Sequence, residues 1–259
     1  MIVTTSGRAD QYIIHMAQEI AHDLNMKYVK RNKQSVQELK HNYQDDLFVV
    51  GKNRIEYHLL FQESPLFFHP NSAMFRVKRL MKGDEDPFCS ACNLKKGTTL
   101  LDCTLGLGSD SIVASFFTGS QGVIKGIEAN EVLAYIVRKG LKQWETGVLE
   151  LDYAMKRIEV VHNDHFTFLQ MCSDNTYDVV YFDPMFEEAI ESSEGLNPLR
   201  GVASYNPLSI EIISEAKRVA KKRVVLKDHW KSERFEQLGF EVFKRKSAKF
   251  HYGVIEISN

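Results

Sequence analysis

The chain has 259 residues, a formal net charge of −1, and 44% apolar against 26% charged residues. This composition excludes a disordered or low-complexity protein, and the near-neutral balance excludes a uniformly cationic one. Contact with nucleic acid would therefore need local patches, for which Arg76/Lys78/Arg79/Lys82, Lys221/Lys222/Arg223 and Lys244/Arg245/Lys246/Lys249 are the candidates, the plainer reading of each being a solvated face.

From the N-terminus, Ala9 to Leu24 has helical spacing (Ile13, Met16/Ala17, Ile20, Leu24), and Ser35 to Tyr43 is a shorter helical candidate. Leu47 to Leu60 reads as a hairpin. Gly51-Lys52-Asn53 supplies its turn, and Ile55, Tyr57 and Leu59 alternate with Arg54, Glu56 and His58. The pattern breaks around Ser64-Pro65 and His69-Pro70, which predicts a small α/β domain over 1–70 and a second domain over 71–259. Ala73 to Met81 is a basic connecting helix, and Gly83 to Pro87 a polar turn.

From Thr98 the chain alternates short apolar strands with helices. The predicted strands are Thr98–Cys103, Gly122–Ile127, Ile158–Val161, Tyr177–Phe182 and Arg223–Leu226. The helices between them run to Phe117, carry Leu133, Ile136/Val137, Leu141 and Trp144 on one face, and span Phe166 to Met171 and Ser209 to Val219. Such alternation predicts a mostly parallel α/β sheet covered on both faces. Two closing strands, Phe240 to Lys244 and His251 to Ile257, have no helix between them and should form an antiparallel hairpin.

In open sheets of this kind ligands bind beyond the C-terminal ends of the strands. After the first strand come Asp102, Cys103, Thr104, Leu105, Gly106, Leu107, Gly108, Ser109 and Asp110. Gly106 and Gly108 permit a tight turn and a close approach to a ligand, and the helix behind them points its amides at it. The second strand ends in Glu128, placed roughly 20 residues after Gly106, the spacing of a carboxylate that accepts ribose hydroxyls. A helix cap or surface acid is the alternative. Asn163-Asp164-His165 follow the third strand, where Asp164 either contacts an adenine amine or caps the next helix. The fourth strand ends in Asp183-Pro184-Met185-Phe186. An Asp/Asn-Pro-Pro/Met-aromatic tetrapeptide at this place resembles that of the amino-methylating methyltransferases, which implies as acceptor an exocyclic amine on a base, a poor nucleophile whose lone pair is steered by a carboxylate accepting its N–H bonds. Pro184 stiffens that backbone, and Phe186 can stack on the base. Asp183 as a turn residue before proline is the competing reading.

These motifs together resemble the class I S-adenosylmethionine-dependent methyltransferases with a Rossmann-like fold, and within them the RsmJ family of small-subunit ribosomal RNA guanine-N2 methyltransferases. The resemblance is carried by Asp102-x-Thr104-x-Gly106-Leu107-Gly108-x-Asp110, by Val179-Val180-Tyr181-x-Asp183-Pro184-Met185-Phe186, by Lys222-Arg223-Val224-Val225-x-Lys227, and more faintly by Ser72-Ala73-Met74-Phe75-Arg76. It implies a ribosomal RNA processing enzyme whose cofactor is S-adenosylmethionine and whose partner is RNA, either free or in the assembled subunit. It further implies a donor site lined by Asp102, Gly106, Gly108, Ser109, Asp110, Glu128, Ala129, Asp164, His165 and Asp183, with Asp183, Pro184 and Phe186 catalytic. The family continues its motif with proline, where this chain has Glu187 and Glu188. The alternatives are another acceptor, such as an adenine or cytosine amine, a protein or a small molecule, or a noncatalytic RNA-binding assembly factor.

Other signals point to plainer roles. Cys89 and Cys92 have zinc-ligand spacing but no second pair, and a methyl transfer from a sulfonium needs no metal, so none is expected. Lys227 is expected either to meet phosphate or to stand exposed, and Trp144 and Trp230 to pack in the core or at its edge. No apolar run is long enough to span a bilayer and no signal peptide is visible. The four cysteines fit free thiols, so a cytoplasmic protein without a membrane partner is expected.

Overall fold

The computed structural model describes residues 1–184, 208–244 and 248–258, which divide into two compact units, one spanning Met1–His69 and the other beginning at Pro70. In the first unit the strands β1 (Ile2–Thr5), β2 (Lys27–Tyr28), β3 (Leu47–Val50), β4 (Ile55–His58) and β5 (Leu66–Phe67) form one sheet in the order β2-β1-β3-β4-β5. β1 is parallel to β2 and β3, whereas β3, β4 and β5 are antiparallel. The helices α1 (Gln11–Asp23) and α2 (Val36–Tyr43) are each started by a capping side chain. Asp10 accepts from the Ile13 amide at 2.9 Å, and Ser35 and Glu38 satisfy each other's amides in a capping box.

The hairpin at 47–60 is present, with Val50 opposite Ile55. His58, expected on its polar face, is buried and sits 2.9 Å from the Glu56 carboxylate two residues earlier on the same face. β1 has no counterpart in the sequence reading. All four of its residues are buried, so no alternation marks it.

The second unit opens with α3 (Asn71–Met81) and α4 (Pro87–Ala91). Pro87, read as part of a turn, is the first residue of α4, which Asp86 caps by accepting from the amides of Phe88 at 3.1 Å and Cys89 at 3.3 Å. There follow β6 (Thr99–Asp102), α5 (Ser109–Thr118), β7 (Val123–Glu128), α6 (Glu131–Gln143), α7 (Leu149–Arg157), β8 (Glu159–His162), α8 (His165–Met171) and β9 (Tyr177–Phe182). After the next described segment begins come α9 (Ile210–Val219), β10 (Ala220–His229), the short α10 (Arg234–Gln237), β11 (Glu241–Phe243) and β12 (Phe250–Glu256). These strands form a seven-stranded sheet in the order β11-β12-β10-β9-β6-β7-β8. It is parallel except for β12, which runs antiparallel between β10 and β11.

This is the Rossmann-like architecture expected, closed by the antiparallel hairpin. Two departures stand out. α7 was not anticipated, and β10 extends well beyond Arg223–Leu226, with an irregular register between Ala220 and Arg223. Trp230 is 51% exposed, which excludes the core of the two places expected for it.

The pleat sorts side chains between the two faces of the sheet. Val180 and Phe182 of β9 join Leu101, Val224, Leu226, Ile212, Ile213 and Phe235 in one core cluster. Tyr181, between them, turns to the other face and meets Phe88 of α4 edge to face at 4.8 Å. The strand order reverses between β6 and β9, leaving a crevice beyond their C-terminal ends, where ligands bind in such sheets. No helix among the described residues is long and apolar enough to cross a membrane.

Candidate functional site

The loop after β6 is braced from below by Asp102. One carboxylate oxygen accepts from the Thr104 amide at 3.1 Å and the other from Ser111 Oγ at 2.7 Å. Only 2% of Asp102 is exposed, and burial pushes its carboxyl up to about 7. Both bonds fix the shape of the loop. Gly106 and Gly108 take φ of 51° and 77°, left-handed values that side chains disfavour. A Cβ on Gly106 would project into open space. Gly108 is the N-cap of α5 and offers no side-chain cap, and Ser109 Oγ beside it is buried with no hydrogen-bond partner among the described residues. Uncapped helix amides and an orphaned hydroxyl at one point make a seat for a carboxylate.

Glu128 closes the next strand tip. Its Oε2 accepts from the Gly106 amide at 3.1 Å and its Oε1 from the Asn130 amide at 2.9 Å. Burial raises its carboxyl above the usual range, while these two amides oppose the rise. Each oxygen keeps acceptor capacity for a further donor. The Ala129 carbonyl lies 3.1 Å from His162 Nε2. Asp164 is the N-cap of α8, accepting from the Thr167 amide at 3.0 Å. His165 is buried edge-on to Phe182, its Nε2 has no partner among the described residues, and burial lowers its pKa.

Asp183 stands one residue past β9, and its amide donates to Thr104 Oγ1 at 2.6 Å, so the same loop touches both carboxylate-bearing tips. Its Oδ2 accepts from Lys227 Nζ at 2.5 Å. Lys227 also reaches Asp110 at 3.4 Å, and Asp110 in turn accepts from Tyr181 at 2.9 Å and pairs with Arg76. Arg76 completes the chain with two 2.8 Å bonds to Asp86. Negative and positive groups thus alternate from Asp86 to Asp183 in a largely buried row.

The charges set one another's titration. Burial disfavours an ionised Asp110, but Lys227 and Arg76 outweigh it and hold the carboxyl well below the carboxylate range. Burial and the neighbouring Asp110 push the Asp183 carboxyl up to about 6 against the pull of Lys227. Burial would lower Lys227, yet Asp110 and Asp183 hold its pKa above the ordinary value.

Several expectations change here. Arg76 belongs to this row and not to a surface patch, and Lys227 is neither exposed nor free for phosphate. Asp110 accepts from Arg76, Tyr181 and Lys227, so it positions both cations beside the strand tips. Lys222 pairs with Asp178, and Arg223 pairs with Glu256 while donating to the Ala91 carbonyl. Pro184 is half-buried beside Asp183. Met185, Phe186, Glu187, Glu188, Arg245 and Lys246 lie outside the described residues. Cys89 and Cys92 are buried at α4, where desolvation pushes both thiols up. Among the described residues no three His, Cys, Asp or Glu side chains gather to hold a metal.

The contact between Lys227 and Asp183 follows from strand register, which the sequence alone does not show. Leu226 pairs with Phe182 across the parallel strands, which sets Lys227 beside Asp183.

Residues 29–251 match the family described as "Putative SAM-dependent methyltransferase". The Bacillus subtilis (strain 168) protein YpiP is 51% identical over 257 residues, covering 99% of this chain and all of that one. A ribosomal RNA small subunit methyltransferase J of Legionella pneumophila (strain Philadelphia 1) is 28% identical over 62% of this chain and 65% of its own length. A SAM-dependent methyltransferase of Neisseria gonorrhoeae superposes with a TM-score of 0.64 at 16% identity, over 99% of this chain and 96% of that one. The orphaned Ser109 hydroxyl, the uncapped α5 amides and the open face of Gly106 fit S-adenosylmethionine. The chain belongs to the SAM-dependent methyltransferase family and is an enzyme that uses S-adenosylmethionine.

Proposed function

We propose that this enzyme methylates the exocyclic N2 amine of a guanine in small-subunit ribosomal RNA. The observation that carries the reading is Asp183-Pro184 at the tip of β9, its amide tied to the glycine loop through Thr104 and its carboxylate to Lys227. The partial likeness to small subunit methyltransferase J supports the choice of acceptor.

The bound cofactor supplies an electrophilic methyl group on a sulfonium, so the protein's share is to place and orient. Ser109 Oγ and the α5 amides take the amino-acid carboxylate, Glu128 the ribose hydroxyls, and Asp164 the adenine amine. Asp183 accepts an N–H of the guanine amine and turns its lone pair toward the methyl carbon. As the C–N bond forms and the methyl group's bond to sulfur breaks, leaving a neutral thioether, the amine loses a proton, which the ionised Asp183 is placed to receive. Lys227 holds that carboxylate in position and favours its charged form. Pro184 fixes the backbone, and Phe186 stacks on the base.

Deleting the gene and digesting small-subunit ribosomal RNA to nucleosides for mass spectrometry tests the acceptor. N2-methylguanosine should fall by one residue per subunit. An unchanged N2-methylguanosine content with a loss elsewhere would replace guanine by the nucleoside that disappears.

A further inference from the structure

The first unit carries a feature that methyl transfer leaves unused. Its three parallel strands end on one edge of the sheet. Loops leaving that edge hold Arg8 after β1, Lys30, Arg31 and Lys33 after β2, and Lys52 and Arg54 in the turn between β3 and β4. Hydrogen bonds tie these loops together, from the Ser6 amide to the Val50 carbonyl at 2.8 Å and from Arg31 Nη1 to the Thr5 carbonyl at 3.3 Å.

Residues 1–69 contain eight Lys or Arg and eight Asp or Glu, so the unit is neutral as a whole. Its charges are nevertheless sorted, with six of the eight cations on this edge, while Asp45 and Asp46 precede β3 at the opposite one. Three carboxylates lie near the cations, and each already has an internal partner. Asp10 caps α1, Glu38 closes the α2 capping box, and Glu56 sits between Arg54 and His58. Arg8, Lys30, Lys33 and Lys52 are exposed, and no ion pair engages them among the described residues. Lys33 is even held at a left-handed φ of 63°, next to Asn32 at 47°, a conformation that costs a non-glycine residue roughly 1 kcal/mol.

Like charges gathered on one edge repel one another and add nothing to folding, and the positive field they create there suits a polyanionic partner. A small phosphate ligand would call for enclosed donors. These cations are exposed and spread over three strands, a width of roughly 10 Å, which suits a polymer backbone.

We propose that this edge of the first unit is an RNA-docking surface whose exposed cations neutralise backbone phosphates of the acceptor RNA. It rests on the reading of RNA as acceptor, and it names the face that holds it.

The test uses the full-length protein and small-subunit ribosomal RNA transcribed in vitro, with affinity measured by fluorescence anisotropy between about 50 and about 200 mM salt. Arg8→Gln, Lys30→Gln, Lys33→Gln and Lys52→Gln are combined in one variant. A second variant changes Lys95, Lys156, Lys217 and Lys231 to Gln, four exposed lysines of the second unit. Four lost phosphate contacts should lower the slope of log Kd against log salt by about 3 in the first variant and leave it unchanged in the second. Equal slopes in the wild type and both variants would overturn the docking surface, as would a wild type that binds no RNA. Methyl incorporation into the same RNA is scored separately. Transfer by a wild type whose binding ignores the four cations would discard the surface and keep the acceptor. RNA binding that depends on them without transfer would keep the surface and discard the acceptor.

Discussion

Both units expose the C-terminal edge of a parallel sheet, and the two edges are furnished with opposite charge. In the second unit the strand tips bear Asp102, Glu128 and Asp183, all largely buried and each with a protein partner. In the first unit they bear Arg8, Lys30, Lys33 and Lys52, exposed and unpaired among the described residues. A buried carboxylate in a defined hydrogen-bond frame is suited to orienting a small polar group, because its geometry cannot drift. An exposed lysine or arginine on a loop is suited to a polymer whose phosphates it meets by charge. In the reading proposed above, one topology serves chemistry in one unit and holding in the other.

The comparison is broken most severely at Asp183. Asp183→Ala should lower the turnover of methyl transfer by about 10²- to 10⁴-fold, while S-adenosylmethionine binding by calorimetry stays within a few-fold and thermal unfolding stays cooperative. Near-normal turnover would remove Asp183 from its assigned role.

Lys227→Met comes next, since it strips the cation from between Asp110 and Asp183. Breaking a buried pair on one side costs about 3 to 5 kcal/mol of stability, readable by chemical denaturation, and turnover should fall with it. Lys227→Arg should recover part of both. A Met variant as stable and active as the wild type would show that the row of charges is idle.

Acidity sharpens the same point. The folded pKa of Asp183, about 6, lies above the unfolded value of about 3.9. This group therefore favours the folded state most at low pH, and its contribution is lost as pH rises through about 6. Methyl transfer that needs the carboxylate should rise over the same interval. A pH profile for kcat/KM flat between pH 5 and 7 would deny the carboxylate its part, and the comparison of wild type with Asp183→Asn by denaturation at about pH 4 and about pH 7 checks the opposite slope of stability.

Smaller effects are expected at the two remaining tips. Glu128→Gln should weaken S-adenosylmethionine binding by about 1 to 3 kcal/mol, seen in a calorimetric titration, with turnover at saturation little changed. Asp164→Ala should lose an N-cap worth about 1 kcal/mol of stability, measured by chemical denaturation.

The glycine loop, Glu128 and Asp183 were legible in the sequence because each lies at the end of a short apolar strand, where position alone implies a pocket. The row from Asp86 to Lys227 was not, because its contacts join residues 34, 44 and 117 positions apart and depend on strand register and helix packing. Arg76 looked like one of several surface cations, and only the fold shows that it faces Asp86 and Asp110. Among the elements, β1 escaped notice because strands buried on both faces lose the alternation that identifies them. The basic edge of the first unit was hidden for a related reason. Arg8, Lys30 and Lys52 are scattered along the chain, and parallel pairing alone gathers them.

The central claim is that the Asp183 site transfers methyl groups to a guanine amine. Its most direct test is incubation of the purified protein with methyl-labelled S-adenosylmethionine and small-subunit ribosomal RNA from a strain lacking the gene, followed by nucleoside analysis. Label confined to N2-methylguanosine, and absent with Asp183→Ala, is the expected result. Label in any other nucleoside, or none in RNA, would contradict it.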